Sequence, residues 1–84
     1  MTLQLHIPES VAQAIRFPAG RMEDDLLVEL AVALYAQEAL SFGKARELSG
    51  MSKYDFGQLL GKRHVERHYG ADELEDDLGY AQRQ

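Results

Sequence analysis

The fold is decided by the stretch Ser41-Phe42-Gly43-Lys44-Ala45-Arg46-Glu47-Leu48-Ser49-Gly50-Met51-Ser52-Lys53-Tyr54-Asp55-Phe56-Gly57-Gln58-Leu59-Leu60. It predicts two short helices joined by a tight turn. Ser41 and Ser52 are candidate N-caps, because a serine hydroxyl accepts a hydrogen bond from a backbone N–H of the first helical turn. Gly50 is expected to end the first helix, since glycine adopts a positive φ at the least cost.

Apolar residues predict how the two helices meet. Ala45 and Leu48 form the inner face of the first helix, and Met51 fills the angle between the helices. The buried face of the second helix is expected to consist of Phe56, Leu59 and Leu60. This spacing is typical of a helix-turn-helix, and the alternative is a plain helical hairpin in a small bundle. Arg46 lies four residues before Gly50, where a small residue usually lets the helices approach.

The polar side chains of this hairpin are the candidate DNA contacts. In a helix-turn-helix the N-terminal residues of the second helix reach base edges in the major groove. Lysine and arginine neutralise phosphates, and a glutamine is suited to adenine. The predicted DNA-binding residues are Lys44, Arg46, Ser52, Lys53, Tyr54, Gln58 and Lys62.

The residues before the hairpin predict a strand and two helices. Residues 2–7 alternate apolar and polar side chains, as a half-buried strand does, and Pro8 ends the strand. A short helix is expected from Glu9 to about Ile15. A second helix is expected over residues 22–37, with an apolar stripe wide enough for burial on two sides, either within the domain or against a second copy.

The residues after the hairpin form an acidic C-terminal segment. Residues 64–69 alternate weakly and are predicted as a short strand, which could pair with the N-terminal one. Residues 71–80 predict a short helix whose only strong apolar anchors are Leu74 and Leu78. So narrow a stripe makes the helix marginal alone, so it could order on a partner or pack on its own domain. The predicted fold is therefore mainly α, a small helical domain with a helix-turn-helix-like hairpin and one or two short β-strands.

The charge is divided along the chain. The 84 residues carry a net charge of -5 and an isoelectric point near 5.0, which argues against nucleic-acid binding. Residues 1–40 carry -4, residues 41–70 carry +3 and residues 71–84 carry -4. The basic segment coincides with the hairpin. Generic electrostatic binding of nucleic acid is excluded, whereas shape-directed binding by the hairpin is not.

Composition excludes several classes of protein. The chain has no cysteine, so it can form neither a disulfide nor a thiolate metal site. Its longest apolar run, Leu30–Ala36, is far shorter than the ~20 residues of a membrane-spanning helix. No secretory signal is recognisable, so we expect a cytoplasmic protein. His64 and His68 lack a third ligand, and no catalytic constellation is visible. We expect no metal, no cofactor and no enzymatic activity.

The sequence resembles a family of small antitoxin-like proteins, an uncharacterised prokaryotic family commonly encoded beside PIN-domain toxins. The matching stretches are residues 5–10, 26–35, 41–52 and 54–60, with Tyr69 and residues 72–78 at the end. The resemblance implies a VapB-like antitoxin or DNA-binding regulator whose tail covers the active groove of the toxin. The residues it suggests for toxin binding are Arg67, Tyr69, Leu74, Leu78 and Arg83.

Together these observations predict one domain with three parts. Residues 1–40 are expected to dimerise, through the N-terminal strand and the helix around Leu30, residues 41–63 to bind operator DNA, and residues 64–84 to bind a PIN-domain ribonuclease toxin. The alternative is a protein–protein adaptor that retains the helical hairpin without contacting DNA. The net charge of -5 and Arg46 at a packing position favour that alternative.

Overall fold

The computed structural model describes residues 1–67, which form four α-helices and one short 3₁₀ turn. The elements in chain order are α1 (Glu9–Ala14), the 3₁₀ turn (Ala19–Arg21), α2 (Met22–Ala36), α3 (Phe42–Ser49) and α4 (Lys53–Lys62). The prediction of a mainly helical chain is confirmed. Helix α2 packs most extensively on α3, and α4 packs on α3 across the turn, so these three helices enclose the core.

Helix α2 begins at Met22, as predicted, and ends at Ala36, one residue before its predicted end at Gln37. Its first turn carries Glu23, Asp24 and Asp25, whose negative charges interact favourably with the positive end of the helix dipole. At its C-terminus the N–H of Ala39 donates to the Leu34 carbonyl at 2.9 Å, and the N–H of Glu38 donates to the Tyr35 carbonyl at 3.0 Å. These two bonds define a Schellman cap, with Glu38 in the left-handed conformation at φ 61°.

The caps of α3 and α4 are those predicted. The Ser41 hydroxyl accepts from the N–H of Lys44 at 3.3 Å, and the Ser52 hydroxyl accepts from the N–H of Asp55 at 3.0 Å. Gly50 ends α3 with a φ of 76°, a region that a side chain would make costly. Residues 42–62 therefore form the predicted pair of short helices joined by a tight turn.

The core is an aromatic cluster with one ring from each of the three packed helices. The ring of Tyr35 on α2 meets the ring of Phe42 on α3 edge to face at 6.0 Å, and that of Phe56 on α4 at 6.5 Å. The two phenylalanine rings lie 5.5 Å apart. Such tilted pairs are the favoured arrangement of aromatic rings and add to the stabilisation from burial alone. The residues buried around the rings are Ala31, Val32, Ala45 and Leu60.

Small residues allow α3 to lie close to its neighbours, although Arg46 occupies the position where a small residue usually does so. Ala45 is fully buried and Ser49 is almost so, whereas Arg46 is only half-buried. The Ser49 hydroxyl donates to the Arg46 carbonyl at 2.6 Å and accepts from the N–H of Met51 at 3.0 Å. The hydrogen bonds of Ser49 therefore stabilise the turn, and Ala45, rather than Arg46, contacts the core.

The predicted N-terminal strand is not observed. Residues 2–7 have no regular secondary structure, and Leu3 and Leu5 remain 80% and 75% exposed. The alternation of side chains is present, but residues 1–67 offer no second strand whose backbone could complete a ladder. A strand needs such a partner for its backbone N–H and C=O groups.

The predicted C-terminal strand is also absent from the described residues, which include its positions 64–67. His64 instead adopts a left-handed conformation at φ 59°, and its N–H donates to the Gly61 carbonyl at 3.1 Å. The N–H of Val65 donates to the Leu60 carbonyl at 2.9 Å, which completes a second Schellman cap. The side chain of Val65 packs on the core, so these residues end α4 rather than continue into a sheet.

Over residues 1–67, every helix is too short or too polar to cross a bilayer.

Candidate nucleic-acid interface

Helix α4 has one face in the core and one in solvent. Phe56 and Leu60 are fully buried, which sets the rotation of the helix. Tyr54, Gln58 and Lys62 follow one another at intervals of four residues, so they form a single stripe on the opposite side. All three are exposed, and Tyr54 is 73% exposed. We call this stripe of Tyr54, Gln58 and Lys62 the outer face of α4.

The polar groups of this outer face are available for binding. Within residues 1–67 the side chains of Tyr54, Gln58 and Lys62 make no hydrogen bond or ion pair. Together they present a phenolic hydroxyl, a carboxamide and an ammonium group. These groups can donate to phosphate oxygens and to acceptors on base edges, and the carboxamide can also accept.

The N-terminal end of α4 holds the next three polar residues. The Ser52 oxygen caps the helix, which leaves its O–H as a donor. Lys53 and Asp55 are exposed and of opposite charge. The acid stabilises the first helical turn but reduces the positive potential beside Lys53.

The predicted DNA contacts on α3 are less accessible than those on α4. The ammonium group of Lys44 lies 3.4 Å from the carboxylate of Glu47, and Lys44 is half-buried. Arg46 is also half-buried, and its Nε atom is buried with no hydrogen-bond partner among residues 1–67. The structure therefore groups Tyr54, Gln58 and Lys62 on one face and places Lys44 and Arg46 on the neighbouring helix.

The C-terminal end of α4 is fastened to α2 by a bidentate ion pair. Both guanidinium NH groups of Arg63 donate to the carboxylate of Glu29, at 2.8 and 2.7 Å. These hydrogen bonds lower the pKa of Glu29 from its ordinary value of 4.5, against the opposing effect of burial, and they raise the pKa of Arg63. The ion pair thus helps to fix the orientation of the outer face relative to the rest of the molecule.

Arg67, which the sequence suggests for toxin binding, lies against the core. Its guanidinium carbon is 3.7 Å from the centroid of the Phe42 ring, a cation–π contact. Its Nη1 atom would lie 3.5 Å from a Cβ atom placed on Gly57. The other four predicted toxin-binding residues, Tyr69, Leu74, Leu78 and Arg83, lie outside the described residues.

Three features of this site were not predicted from the sequence. Phe42 has a visible signal, because it is an apolar residue three positions before Ala45, a spacing that places both on the same face of α3. The pairing of Arg63 with Glu29 and the stacking of Arg67 on Phe42 join residues 34 and 25 positions apart. No local pattern identifies the partner of a charged residue at such a separation.

The described part of the chain holds no candidate metal centre, since no three of its His, Asp or Glu residues lie close enough together to bind an ion. His64 belongs to the cap of α4, and His68 lies outside the described residues.

Comparison with known proteins places the chain in a family. The model of the "Uncharacterised protein family (UPF0175)" matches residues 1–83. The chain belongs to the UPF0175 family. A UPF0175 protein of Aeropyrum pernix is 40% identical over 73 residues, which cover 87% of this chain and 82% of the relative. A UPF0175 protein of Synechocystis sp. is 33% identical over 82 residues, which cover 98% and 88% respectively.

UPF0175 relatives therefore align along most of the chain, the hairpin included. A UPF0175 protein of Archaeoglobus fulgidus is 33% identical over 58 residues, covering 69% of this chain and 67% of the relative. No solved structure matches the chain. The expected membership of an uncharacterised family is confirmed, and the expected antitoxin activity stays a prediction.

Proposed function

We propose that this chain is a DNA-binding antitoxin of a type II toxin–antitoxin system, with no catalytic activity of its own. Its α3–α4 hairpin would bind operator DNA, and its C-terminal segment would neutralise a PIN-domain ribonuclease toxin. The observation that carries the DNA-binding part is the outer face of α4. It presents Tyr54, Gln58 and Lys62 in one stripe while the opposite face of the helix is held in the core.

The dimensions of the hairpin suit the major groove. A single α-helix fits that groove, where each base pair presents a distinct pattern of donors and acceptors. The buried Phe56 and Leu60 and the ion pair at Arg63 hold α4 rigidly, so its polar side chains need little reordering on binding. Gln58 at the centre of the stripe is the best placed to read a base, and Lys62 to contact a phosphate.

The charge of the hairpin favours DNA but only modestly. Residues 42–62 contain four basic residues and two acidic ones, and one of the four, Lys44, is paired with Glu47. Binding by one copy would therefore be weak, and its dependence on salt would be shallow, because that dependence scales with the number of phosphates neutralised. Two copies on two half-sites would supply the affinity that one copy lacks.

A second copy of the chain is the partner that best fits residues 1–7. Their alternating Leu3, Leu5 and Ile7 side chains are exposed, and within the described residues their backbone groups have no ladder partner. Pairing with the same segment of a second copy would satisfy both sets of groups about a two-fold axis. Leu5→Glu should then convert a dimer into a monomer in sedimentation equilibrium.

The toxin-binding part rests on the family resemblance of the sequence and on the acidic C-terminal segment. A basic residue, rather than this acidic run, would meet the acidic metal site of a PIN nuclease, and Arg83 is the candidate. Co-expression with a PIN-domain protein encoded next to the chain's gene should relieve growth inhibition by that protein. Persistence of inhibition, with both proteins made, would contradict this half of the proposal.

The DNA-binding part is tested by fluorescence anisotropy with short duplexes tiled across the region upstream of the gene, at low salt. Gln58→Ala should weaken specific binding by roughly tenfold, since a bidentate base contact contributes ~1–3 kcal/mol of discrimination. Gln13→Ala on the exposed face of α1 is the matched control and should bind as the unaltered chain does. Absence of binding by the unaltered chain, alone and with the toxin, would refute DNA binding.

The alternative of a protein–protein adaptor is favoured by one observation. The Lys44–Glu47 pair and the exposed Asp55 break up the basic surface of the hairpin. An adaptor would co-purify with one protein partner and carry no nucleic acid. The discriminating measurement is whether binding to the partner protein depends on Tyr54 and Gln58, since those side chains would then serve the adaptor interface.

A further inference from the structure

Two glycines lie in α4, Gly57 in its interior and Gly61 in its last turn, although glycine is, after proline, the least favourable residue in a helix. Both have ordinary helical conformations, so neither is required by a positive φ. A glycine in a helix leaves room for another group to approach the backbone closely. The surroundings of the two glycines differ in this respect.

Gly57 lies on the side of α4 that faces Arg67. A Cβ atom at this position would lie 3.5 Å from the Nη1 atom of Arg67, in ordinary van der Waals contact with it. The Arg67 guanidinium group in turn lies over the ring of Phe42. This side of α4 is therefore already covered within the chain.

Gly61 lies on a side of the last turn of α4 that no described residue covers. A Cβ atom built on it would meet nothing within 4 Å, and the residue is exposed. Its position on α4 is three residues after Gln58 and seven after Tyr54, beside the outer face. The next residue is Lys62, whose ammonium group makes no ion pair in residues 1–67. The helix is thus bare in its last turn, beside the outer face and next in sequence to Lys62.

We infer that Gly61 is the point at which the sugar–phosphate backbone of duplex DNA comes against α4, with Lys62 neutralising the phosphate beside it. This inference rests on the proposed function. The N-terminal residues of a recognition helix reach bases, while its C-terminal end can meet the backbone. The outer face contains no aliphatic side chain and offers three hydrogen-bonding groups, which suits a phosphate backbone better than the apolar centre of a protein interface.

The test is a series of side chains at position 61. Gly61→Ala and Gly61→Leu should leave the fold intact and keep or raise the thermal midpoint, because each is a better helix former than glycine. Anisotropy with the upstream duplexes should show affinity falling as the side chain grows, by about tenfold or more for leucine. Gly20→Ala and Gly20→Leu are the matched controls, since Gly20 also has nothing within 4 Å of its Cβ position but lies in the 3₁₀ turn.

Each outcome separates this inference from the proposed function. If the unaltered chain binds the duplexes and Gly61→Leu binds them equally well, the inference is wrong while DNA binding stands. If the unaltered chain binds no duplex, both are wrong. If Gly61→Leu keeps its affinity for DNA and loses a protein partner, the bare position serves a protein and the inference is overturned. Loss of DNA affinity in both the Gly61 and the Gly20 series would also overturn it.

Discussion

Within residues 1–67, two residues other than glycine adopt a conformation better suited to glycine. Glu38 at φ 61° and His64 at φ 59° each occupy the left-handed position of a Schellman cap. For a residue with a Cβ atom this conformation costs on the order of 1 kcal/mol. Glu38→Gly and His64→Gly should therefore each stabilise the fold by up to about 1 kcal/mol, measured as a raised midpoint of thermal unfolding.

A control separates backbone strain from charge at position 38. Glu38→Gln removes the negative charge and keeps the strain, so its midpoint should stay close to that of the unaltered chain. Gly50→Ala makes the reciprocal change at φ 76° and should destabilise by about 1 kcal/mol. A midpoint for Glu38→Gln as high as that for Glu38→Gly would attribute the gain to charge instead.

The contact of Arg67 with Phe42 depends on the shape of the guanidinium group. A planar guanidinium stacks over an aromatic ring in a way that an ammonium group does not. Arg67→Lys keeps the charge and should lower the free energy of unfolding in urea by about 0.5–1 kcal/mol. Arg16→Lys, at an exposed position between α1 and the 3₁₀ turn, should have no measurable effect. Equal stability of the two variants would show that the stacking contributes nothing.

At the scale of the element, the serine caps decide where α3 and α4 begin. Ser52→Ala removes the hydroxyl that accepts from the N–H of Asp55, which leaves an orphan donor at the start of α4. We expect a loss of about 1 kcal/mol in stability. For a domain of this size such a loss lowers the thermal midpoint by roughly 4–8 °C.

The control for this cap is another exposed serine. Ser10 lies inside α1 and its hydroxyl caps no helix, so Ser10→Ala should leave the midpoint unchanged or raise it slightly. A fall as large for Ser10→Ala as for Ser52→Ala would mean that the loss at Ser52 does not come from capping.

At the scale of the whole molecule, the ion pair between Glu29 and Arg63 joins the middle of α2 to the C-terminal end of α4. Both side chains are about two-fifths exposed, so solvent screening limits its contribution to less than about 1 kcal/mol despite its bidentate geometry. A double-mutant cycle of Glu29→Gln and Arg63→Gln measures that contribution directly. A coupling free energy of zero would mean that the ion pair does not hold α4 to α2.

The same ion pair makes the stability of the fold depend on pH. Folding lowers the pKa of Glu29 below its ordinary value of 4.5, because Arg63 favours the charged carboxylate. The stabilisation is therefore complete above that value and is lost as the pH falls through the lower pKa of the folded state. The gap in thermal midpoint between the unaltered chain and Glu29→Gln should stay constant at neutral pH and close in acid. A gap that persists at the lowest pH would contradict this assignment.

Local rules explain the part of the fold that was predicted. Ser41, Gly50 and Ser52 each act through hydrogen bonds or a φ angle within a few residues, so the limits of α3 and α4 can be read from their order. The apolar spacing of α2 likewise predicts its length and the burial of Tyr35. Neither predicted strand is observed within residues 1–67, because alternation at residues 2–7 gives a strand only where a partner strand is present, and residues 64 and 65 complete the cap of α4.

The sequence by itself determined the helices, the turn at Gly50 and the polar stripe of Tyr54, Gln58 and Lys62, because each depends on contacts between near neighbours in the chain. Only the tertiary structure decided that Phe42 joins Tyr35 and Phe56, that Arg63 pairs with Glu29 and that Arg67 covers the aromatic cluster. Those contacts connect residues far apart in sequence. Their partners are selected by how α2, α3 and α4 pack, which no local periodicity specifies.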